Sequence, residues 1–494
     1  MKTGKPLFLA LSLFLAALAP AWAEDLTAIY KLAEKNDQVY QAALASYRAD
    51  KQSRPLALAP LLPSISVSAQ SGLNRFDPLD PPPEGVGHSP QDYDNQRLSI
   101  TLSQVVFDYA KLTQARQSSR KVLEAEAQLA EDKQELMLRV SQLYFQVLEA
   151  AEALASVGAE KAALAQSLDQ AKRAAAAGVI SPTEADLAKA KHDMVVAREI
   201  AAANHLQASR EELAEIIGRA PGSLAGLPLA IPLSPPSPAD PQRWTDTALN
   251  NNQGLKALAQ AVQGAKLQVT REMAGHAPTL NLVASHGYSD VGGGRVSGTD
   301  VSTSVALELR LPIFEGGRVG AQVRQAHYLF QRAKAKHLAQ KRKVIRLARN
   351  AYREVEVARA RIGALKQAVA SSTTAAEGAA QRLKVGASSL VEYLEAVSDR
   401  FKAVNDLTQA RYRYLLARLR LRRAAGALSQ LAELKFLGAG VCKSICIIWC
   451  FWEVEGCERG TFLVYKKGSP HISPFLRQTP NPWARPPLAR SEAG

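Results

Sequence analysis

The feature that most constrains this chain is an internal duplication. The first copy runs from Leu26 to about Gly218 and the second from about Trp244 to Gly426. Corresponding positions follow one another in the same order in both copies. The matched pairs are Asn36-Asp37 with Asn251-Asn252, Pro63–Val67 with Pro278–Leu282, Gly178 with Gly386, Ser181 with Ser389, and Glu184 with Glu392. The duplication predicts two structural repeats, over residues 24–227 and 242–438, joined by a Pro-rich linker at 228–241.

Each copy contains two segments in which apolar and polar residues alternate, as they do in a β-strand with one buried face. The segments lie around Ile65–Ala69 and Leu98–Leu102 in the first copy, and around Leu280–Ala284 and Val301–Leu311 in the second. The pattern is typical of a membrane barrel with lipid outside and water inside, and also of the edge of a soluble sandwich. Because about eight strands are the minimum for a closed barrel, four strands per chain predict a barrel that is shared between subunits.

Long helices are predicted after the strands in both copies. No proline occurs from Lys111 to Ala177, a stretch that would be roughly 100 Å long as a helix. Apolar residues recur there at every seventh position, at Val122, Leu129, Leu136, Leu143, Ala150, Val157 and Leu164. The second copy has a comparable stripe, at Ala351, Val355, Ala358, Ile362, Leu365 and Val369. A seven-residue repeat predicts helices that pack side by side with left-handed supercoiling.

Each long helix is predicted to end in a tight turn. Gly178 and Gly386 are helix-ending glycines. In both copies the third residue after the glycine is a serine, and the third residue after that serine is a glutamate. The segments are Ser181–Glu184 and Ser389–Glu392. This order is the capping box that starts a new helix. Each copy is therefore predicted to contain a helical hairpin whose tip lies far from its strands.

The first 23 residues have the pattern of a secretory signal peptide. Lys2 and Lys5 precede the apolar run Leu7–Leu18, and Ala21-Trp22-Ala23 fits the small-x-small cleavage pattern. A membrane anchor is the other interpretation, but the apolar run is shorter than the ~20 residues of a comfortable span, and no later segment is that long. We therefore expect export and a mature chain that begins at Glu24. Such a chain would enter a membrane only through β-strands.

Residues 439–494 differ in composition from the rest of the chain. They contain all four cysteines, are rich in Trp, Pro and Gly, and lack helical or strand periodicity. The cysteines are Cys442, Cys446, Cys450 and Cys457. A zinc site is one interpretation, but these spacings match no common ligand pattern. We expect instead a frameshifted or read-through extension that takes no part in the fold.

The formal net charge of +15 admits two interpretations. A basic chain can bind nucleic acid. Here, however, the basic residues are spread along predicted helices, and a signal peptide directs the chain away from nucleic acid, so that solvated helix faces are expected. The sequence contains no nucleophile–base constellation, phosphate loop or metal-ligand cluster. We therefore expect no enzyme, no catalytic or metal-binding residues, no cofactor and no nucleic-acid partner.

Together these features resemble the TolC family of outer-membrane efflux proteins, over nearly all of residues 24–438. The most specific segment is Gly386–Ala396, which looks like the family's turn and inner helix at the periplasmic entrance. Phe107 and Phe314 at the strand-to-helix junctions add to the resemblance, together with Glu315–Arg318. Each motif is weak by itself, and their doubled order is the stronger signal.

The resemblance implies an α+β membrane protein that forms a homotrimer. Four strands from each chain would build a 12-stranded β-barrel in the outer membrane, joined to a long α-helical coiled-coil tunnel in the periplasm. The implied function is an exit duct for type I protein secretion or small-molecule efflux. The lack of a lipidation cysteine near the cleavage point favours the secretion branch. The implied partners are outer-membrane lipid, a periplasmic adaptor (membrane fusion) protein and an inner-membrane pump, either ABC or proton-driven.

The resemblance also implies a constriction at the periplasmic entrance. Glu392 and Glu395 match the two acidic positions that ring this entrance in the family, and Glu184 matches an acidic partner from the first copy. The arginine and tyrosine that help to lock a closed TolC-type entrance fall at Ser388 and Leu383, so that the lock is expected to differ here. For Glu392, a capping role is also a sufficient explanation, and both interpretations stay open.

The competing hypothesis is a soluble periplasmic coiled-coil scaffold or adaptor. Such a protein would share the signal peptide and the long helices. It would not need four alternating strands in each chain, or the loops between them.

Overall fold

The computed structural model of the chain describes residues 23–76, 91–227, 231–293 and 297–428. The described residues belong to one unit. Residues 1–22 of the expected signal peptide and the whole of the expected tail extension lie outside them. Those two predictions therefore stay predictions.

In the first half of the chain, three helices precede two strands, and two long helices follow the strands. These elements are α1 (Leu26–Asn36), α2 (Gln38–Lys51), α3 (Ser53–Leu58), β1 (Ser64–Phe76), β2 (Gln91–Asp108), α4 (Tyr109–Ala176) and α5 (Pro182–Ile217). The second half follows the same order, with α6 (Pro241–Asn251), α7 (Gln253–Met273), β3 (Thr279–Gly292), β4 (Gly298–Arg310), α8 (Arg318–Lys384) and α9 (Leu390–Ala424). The single helix α7 stands where the first half has both α2 and α3.

The matched pairs Asn36-Asp37 and Asn251-Asn252 mark the boundary between two helices in each half. A carboxylate oxygen of Asp37 accepts the N–H of Tyr40 at 3.0 Å and caps α2, and Asn252 Oδ1 accepts the N–H of Leu255 at 2.9 Å and caps α7. Asp37 is only 4% exposed and also forms an ion pair with Arg139 of α4. Each motif therefore ends one helix and starts the next, as N-cap residues do.

The four strands form one antiparallel sheet in the order β1-β2-β3-β4. The register places Ser64 opposite Ser103, Thr101 opposite Ser285, and Thr279 opposite Arg310. The apolar side chains that alternate along the strands are exposed in the single chain, and Val305 and Leu309 are 71% and 70% exposed. One face of the sheet thus presents apolar side chains that the same chain does not cover.

The four longest helices lie side by side in the order α5, α4, α9, α8, and α7 packs between α4 and α8 at the end near the sheet. The seven-residue stripes face these contacts, with Leu136, Ala150 and Leu164 buried in α4, and Val355 and Ile362 buried in α8. Long coiled-coil helices and four strands per chain are therefore confirmed. In the part of the chain that the structure describes, every helix is too short or too polar to cross a membrane.

A belt covers one face of this helical layer. We define the belt as α1, residues 219–227 and 231–240, and α6. The hydroxyl of Tyr144 in α4 donates to the carbonyl of Ala225 at 2.7 Å, and that of Tyr414 in α9 donates to the carbonyl of Ser234 at 2.9 Å. Because α6 packs on α8 as well, the belt crosses the layer from α4 to α8.

Candidate entrance at the tips of the helical hairpins

The turns at the two hairpin tips have the same backbone. Gly178 follows α4 with φ 70°, and Gly386 follows α8 with φ 73°, both in the left-handed region. The N–H of the residue after each glycine returns to a carbonyl five residues back, at 2.9 Å in both turns. A Cβ at either glycine would meet no atom within 4 Å. Glycine is therefore required by the backbone conformation and not by lack of space.

The first tip starts α5 with a reciprocal capping box, as predicted. Ser181 Oγ accepts the N–H of Thr183 at 3.2 Å, and the N–H of Ser181 donates to the carboxylate of Glu184 at 3.2 Å. Pro182 occupies the first helical position, where its missing N–H costs nothing. The carboxylate of Glu184 is therefore engaged in starting its own helix.

The second tip starts α9 differently. Ser389 Oγ accepts the N–H of Glu392 at 3.2 Å, which is half of the expected capping box. The carboxylate of Glu392 does not return to Ser389. It accepts the hydroxyl of Ser388 at 2.6 Å and contacts the guanidinium group of Arg382. The prediction of a second reciprocal capping box is wrong, because two other donors, one of them charged, occupy this carboxylate.

Arg382 is the residue at the tip that the sequence reasoning missed. It lies in the last turn of α8, and its ion pair with Glu392 is half-exposed. The hydrogen bond from Ser388, and then the one from Arg382, lower the pKa of Glu392 below its usual value. A guanidinium group thus reaches the turn from α8, although Ser388 stands where the family has its arginine. The sequence did contain a signal for this ion pair. A basic residue in the last turn of a helix is favoured by the helix dipole, and Arg382 is close in sequence to the acidic start of α9.

Glu395 lies one turn after Glu392 on the same face of α9. Its side chain is exposed. Within the described residues it forms no ion pair, whereas Glu392 is paired with Arg382. The two predicted entrance residues therefore differ in their electrostatic surroundings, and Glu395 carries the uncompensated charge.

Both tips lie at the same end of the helical layer and share one apolar cluster. Its buried members are Leu164, Leu168, Ala171, Ala188, Val195, Leu390, Leu394 and Val397. Just behind it, Glu160 of α4 is 2% exposed and accepts hydrogen bonds from Arg198 at 2.7 Å and Ser398 at 3.3 Å. This contact joins the first hairpin to the second. Glu184, Glu392 and Glu395 are thus presented together at the end of the layer away from the sheet.

Comparison with known proteins agrees with this architecture. Residues 29–219 and 244–427 match the family described as Outer membrane efflux protein, which is more than half of the chain. The chain belongs to this family. It is an outer-membrane efflux or secretion channel of the TolC type that extends into the periplasm, and it is not an enzyme. Family membership excludes the soluble scaffold or adaptor, and it implies a trimeric channel that works with efflux or secretion machinery.

The relatives include secretion proteins. The chain is 29% identical to Outer membrane protein TolC of Vibrio cholerae over 434 residues, which cover 87% of this chain and 97% of that protein. It is 30% identical to Alkaline protease secretion protein AprF of Pseudomonas aeruginosa over 414 residues, which cover 83% and 86% of the two chains. Among solved structures, the Campylobacter jejuni CmeC outer membrane channel superposes with a TM-score of 0.71 at 16% identity, covering 84% of this chain and 88% of that chain. This last similarity concerns the fold.

Proposed function

We propose that this chain forms a homotrimeric exit duct whose periplasmic entrance is built by the hairpin tips. The observation that carries the proposal is the placement of Glu184, Glu392 and Glu395 at one end of the helical layer. The sheet lies at the other end, because β2 leads directly into the 68 residues of α4. A helix of that length spans about 100 Å, enough to hold the tips far below a membrane that contains the sheet.

Three copies would give both parts of the duct. Four strands from each chain supply the twelve of a shared barrel, and their exposed apolar face suits lipid. At the other end, threefold symmetry turns Glu392 and Glu395 into a ring of six carboxylates around one axis. Arg382 compensates one of the two charges in each chain. The narrow end would therefore remain acidic and favour cations.

We further propose that the duct serves type I protein secretion, together with a periplasmic adaptor and an inner-membrane pump, either ABC or proton-driven. Support comes from the relatives AprF and, at 28% identity, Proteases secretion protein PrtF of Dickeya chrysanthemi. Small-molecule efflux is the second candidate. It is favoured by the likeness to Outer membrane efflux protein BepC of Brucella suis, at a lower identity of 23%.

Cell fractionation with crosslinking tests the duct itself. A three-chain species in the outer membrane is expected, and a soluble monomer in the periplasm would contradict the proposal. Export is tested in a Pseudomonas aeruginosa strain that lacks AprF, where the chain is expected to restore alkaline protease to the culture medium. If it restores resistance to toxic small molecules in an efflux-deficient strain and leaves the protease inside the cell, efflux replaces secretion as the function.

A further inference from the structure

The helical layer has two edges beyond which no further long helix packs in the described part of the chain, although α6 of the belt packs against one side of the second edge. The two edges belong to α5 and α8, which are the first and the last of the four long helices in the side-by-side order. In α5, the buried Leu213 has Glu211 and Glu215 two residues to either side. In α8, the buried Ala351 is flanked in the same way by Arg349 and Arg353. Residues two positions apart on a helix point about 160° away from each other. Both acids and both arginines therefore face outward along the layer.

The two pairs lie at the same height above the tips. At about 1.5 Å per residue, Glu211 and Glu215 are about 44 and 50 Å from the tip end of α5. Counted in the same way from the tip end of α8, Arg353 and Arg349 are about 47 and 53 Å away. The tips are level, since Ala188 of α5 joins the tip residues of α9 in one apolar cluster. One edge of the protomer is thus acidic where the other is basic.

None of these four residues has an opposite charge to pair with in the described part of its own chain. All four are exposed. Glu211 accepts a hydrogen bond from Gln207 at 3.0 Å, and the two arginines donate only to amide oxygens of neutral side chains. Several other charged residues of the long helices do form ion pairs within the chain, as Arg420 does with Glu354 at 2.8 Å. The edge residues are therefore available to a partner.

We propose that each edge binds the opposite edge of a second copy of this chain, with Arg353 against Glu211 and Arg349 against Glu215. The inference rests on the proposed homotrimer and names the contact that sets its register. An interface between two different edges is head-to-tail, and such an interface closes into a ring when the rotation between neighbouring copies is about 120° for a trimer. Opposite charges at matched heights bring neighbouring protomers together with their tips level.

These contacts contribute to specificity more than to affinity. An exposed ion pair stabilises an assembly only slightly, because water and salt screen it. The cost of placing like charges opposite each other is much larger, and it excludes wrong registers and wrong orientations. The pattern therefore predicts that a charge reversal on either edge will damage assembly, and that a reversal on both edges will repair it.

The test is a charge swap, read out as the fraction of crosslinked trimer in outer membranes. R349E/R353E and E211R/E215R are each expected to lower that fraction about tenfold, and the fourfold variant is expected to restore it. The control is K341E/K343E, which reverses two exposed charges on the same helix but away from the edge. Circular dichroism checks that every variant keeps its helices. If the wild-type chain forms trimers and the reversals leave them intact, the edge contact is overturned while the duct proposal stands.

Cysteine crosslinking tests the register itself. Residues 24–438 contain no cysteine, so that serine in place of the four tail cysteines gives a clean background. Glu215→Cys with Arg349→Cys is expected to give disulfide-linked dimers and trimers on oxidation. Asn204→Cys with Arg349→Cys is the control, since Asn204 lies on the same edge but about 17 Å nearer the tip than Glu215. Equal crosslinking of both pairs would overturn the proposed register. A wild-type chain without trimers would instead refute the proposed function.

Discussion

The guanidinium group of Arg382 contacts the carboxylate of Glu392 across the turn that joins α8 to α9. Both side chains are about half exposed, at 50% and 52%. The contact holds the end of one long helix to the start of the next. It also removes one negative charge from the entrance proposed above, so that the remaining acidity comes from Glu395 and Glu184.

Replacement of Arg382 by glutamine is expected to make the entrance more selective for cations. The change removes a positive charge and also frees the carboxylate of Glu392. Lys384→Gln is the matched control, because it removes one exposed charge from the same helical turn without releasing an ion pair. Reversal potentials in planar bilayers should shift further toward cations for R382Q than for K384Q. Equal shifts would mean that the ion pair has no effect on conduction.

The lowered pKa of Glu392 predicts how selectivity depends on pH. The carboxylate stays charged to a more acidic pH in the folded tip than in an unfolded chain. Its pairing is therefore fully present above the ordinary glutamate pKa and is lost as pH falls through the lowered value. The hydroxyl of Ser388 is the main cause of the shift. We therefore expect S388A to lose cation selectivity at a higher pH than the wild type.

That experiment is a titration of reversal potential between about pH 3 and pH 6, the range in which carboxylates titrate. Ser372→Ala is the control, because the hydroxyl of Ser372 bonds only within its own helix. A midpoint for S388A at or below that of the wild type would contradict the assignment.

Alanine at Gly178 or Gly386 is expected to destabilise its tip by about 1 kcal/mol, because an L-residue is strained at positive φ. Gly363 is the internal control. It lies within α8, and a Cβ there also meets no atom within 4 Å. Alanine at this helical position should stabilise the helix by up to about 1 kcal/mol. Hydrogen exchange of the amides around each substituted position, in the assembled protein, should become faster in the two tip variants and slower in Gly363→Ala.

The tail is expected to be dispensable. Helix α9 ends at Ala424 and the family match ends at residue 427. Deletion of residues 439–494 should leave trimer formation and export unchanged. Deletion from Arg411 onward is the contrasting variant, because it removes the buried Tyr412, Tyr414 and Leu415 and should prevent folding. Loss of assembly in the shorter deletion would show that the tail is structural.

Much of this architecture could be predicted from the sequence, because periodicity reports which face a residue occupies. The stripe through Leu136, Ala150 and Leu164 is buried as the seven-residue repeat indicated. Gly178 and Gly386 likewise indicated where the turns lie, because few residues other than glycine adopt a positive φ. These features depend on residues close together in the chain.

The details of the second tip could not be predicted in this way. The carboxylate of Glu392 had three possible donors, namely the N–H of Ser389, the hydroxyl of Ser388 and the guanidinium of Arg382. The choice depends on how the turn folds α8 back toward α9, which sequence spacing does not specify. The two charged edges could not be predicted from the sequence either. Sequence positions give the heights of Glu211 and Arg353, but only the order of the packed helices shows that both residues lie at the edges of the layer.

Ion selectivity of the purified trimer in planar bilayers tests the central claim most directly, that the hairpin tips form an acidic constriction. E392Q/E395Q removes both ring charges and keeps side chains of similar size. We expect it to lose cation selectivity and block by multivalent cations while remaining a folded trimer. Glu126→Gln, an exposed change on α4 far from the tips, should leave both properties as in the wild type. Unchanged selectivity in a stable E392Q/E395Q trimer would contradict the account and would reduce both residues to a role in starting α9.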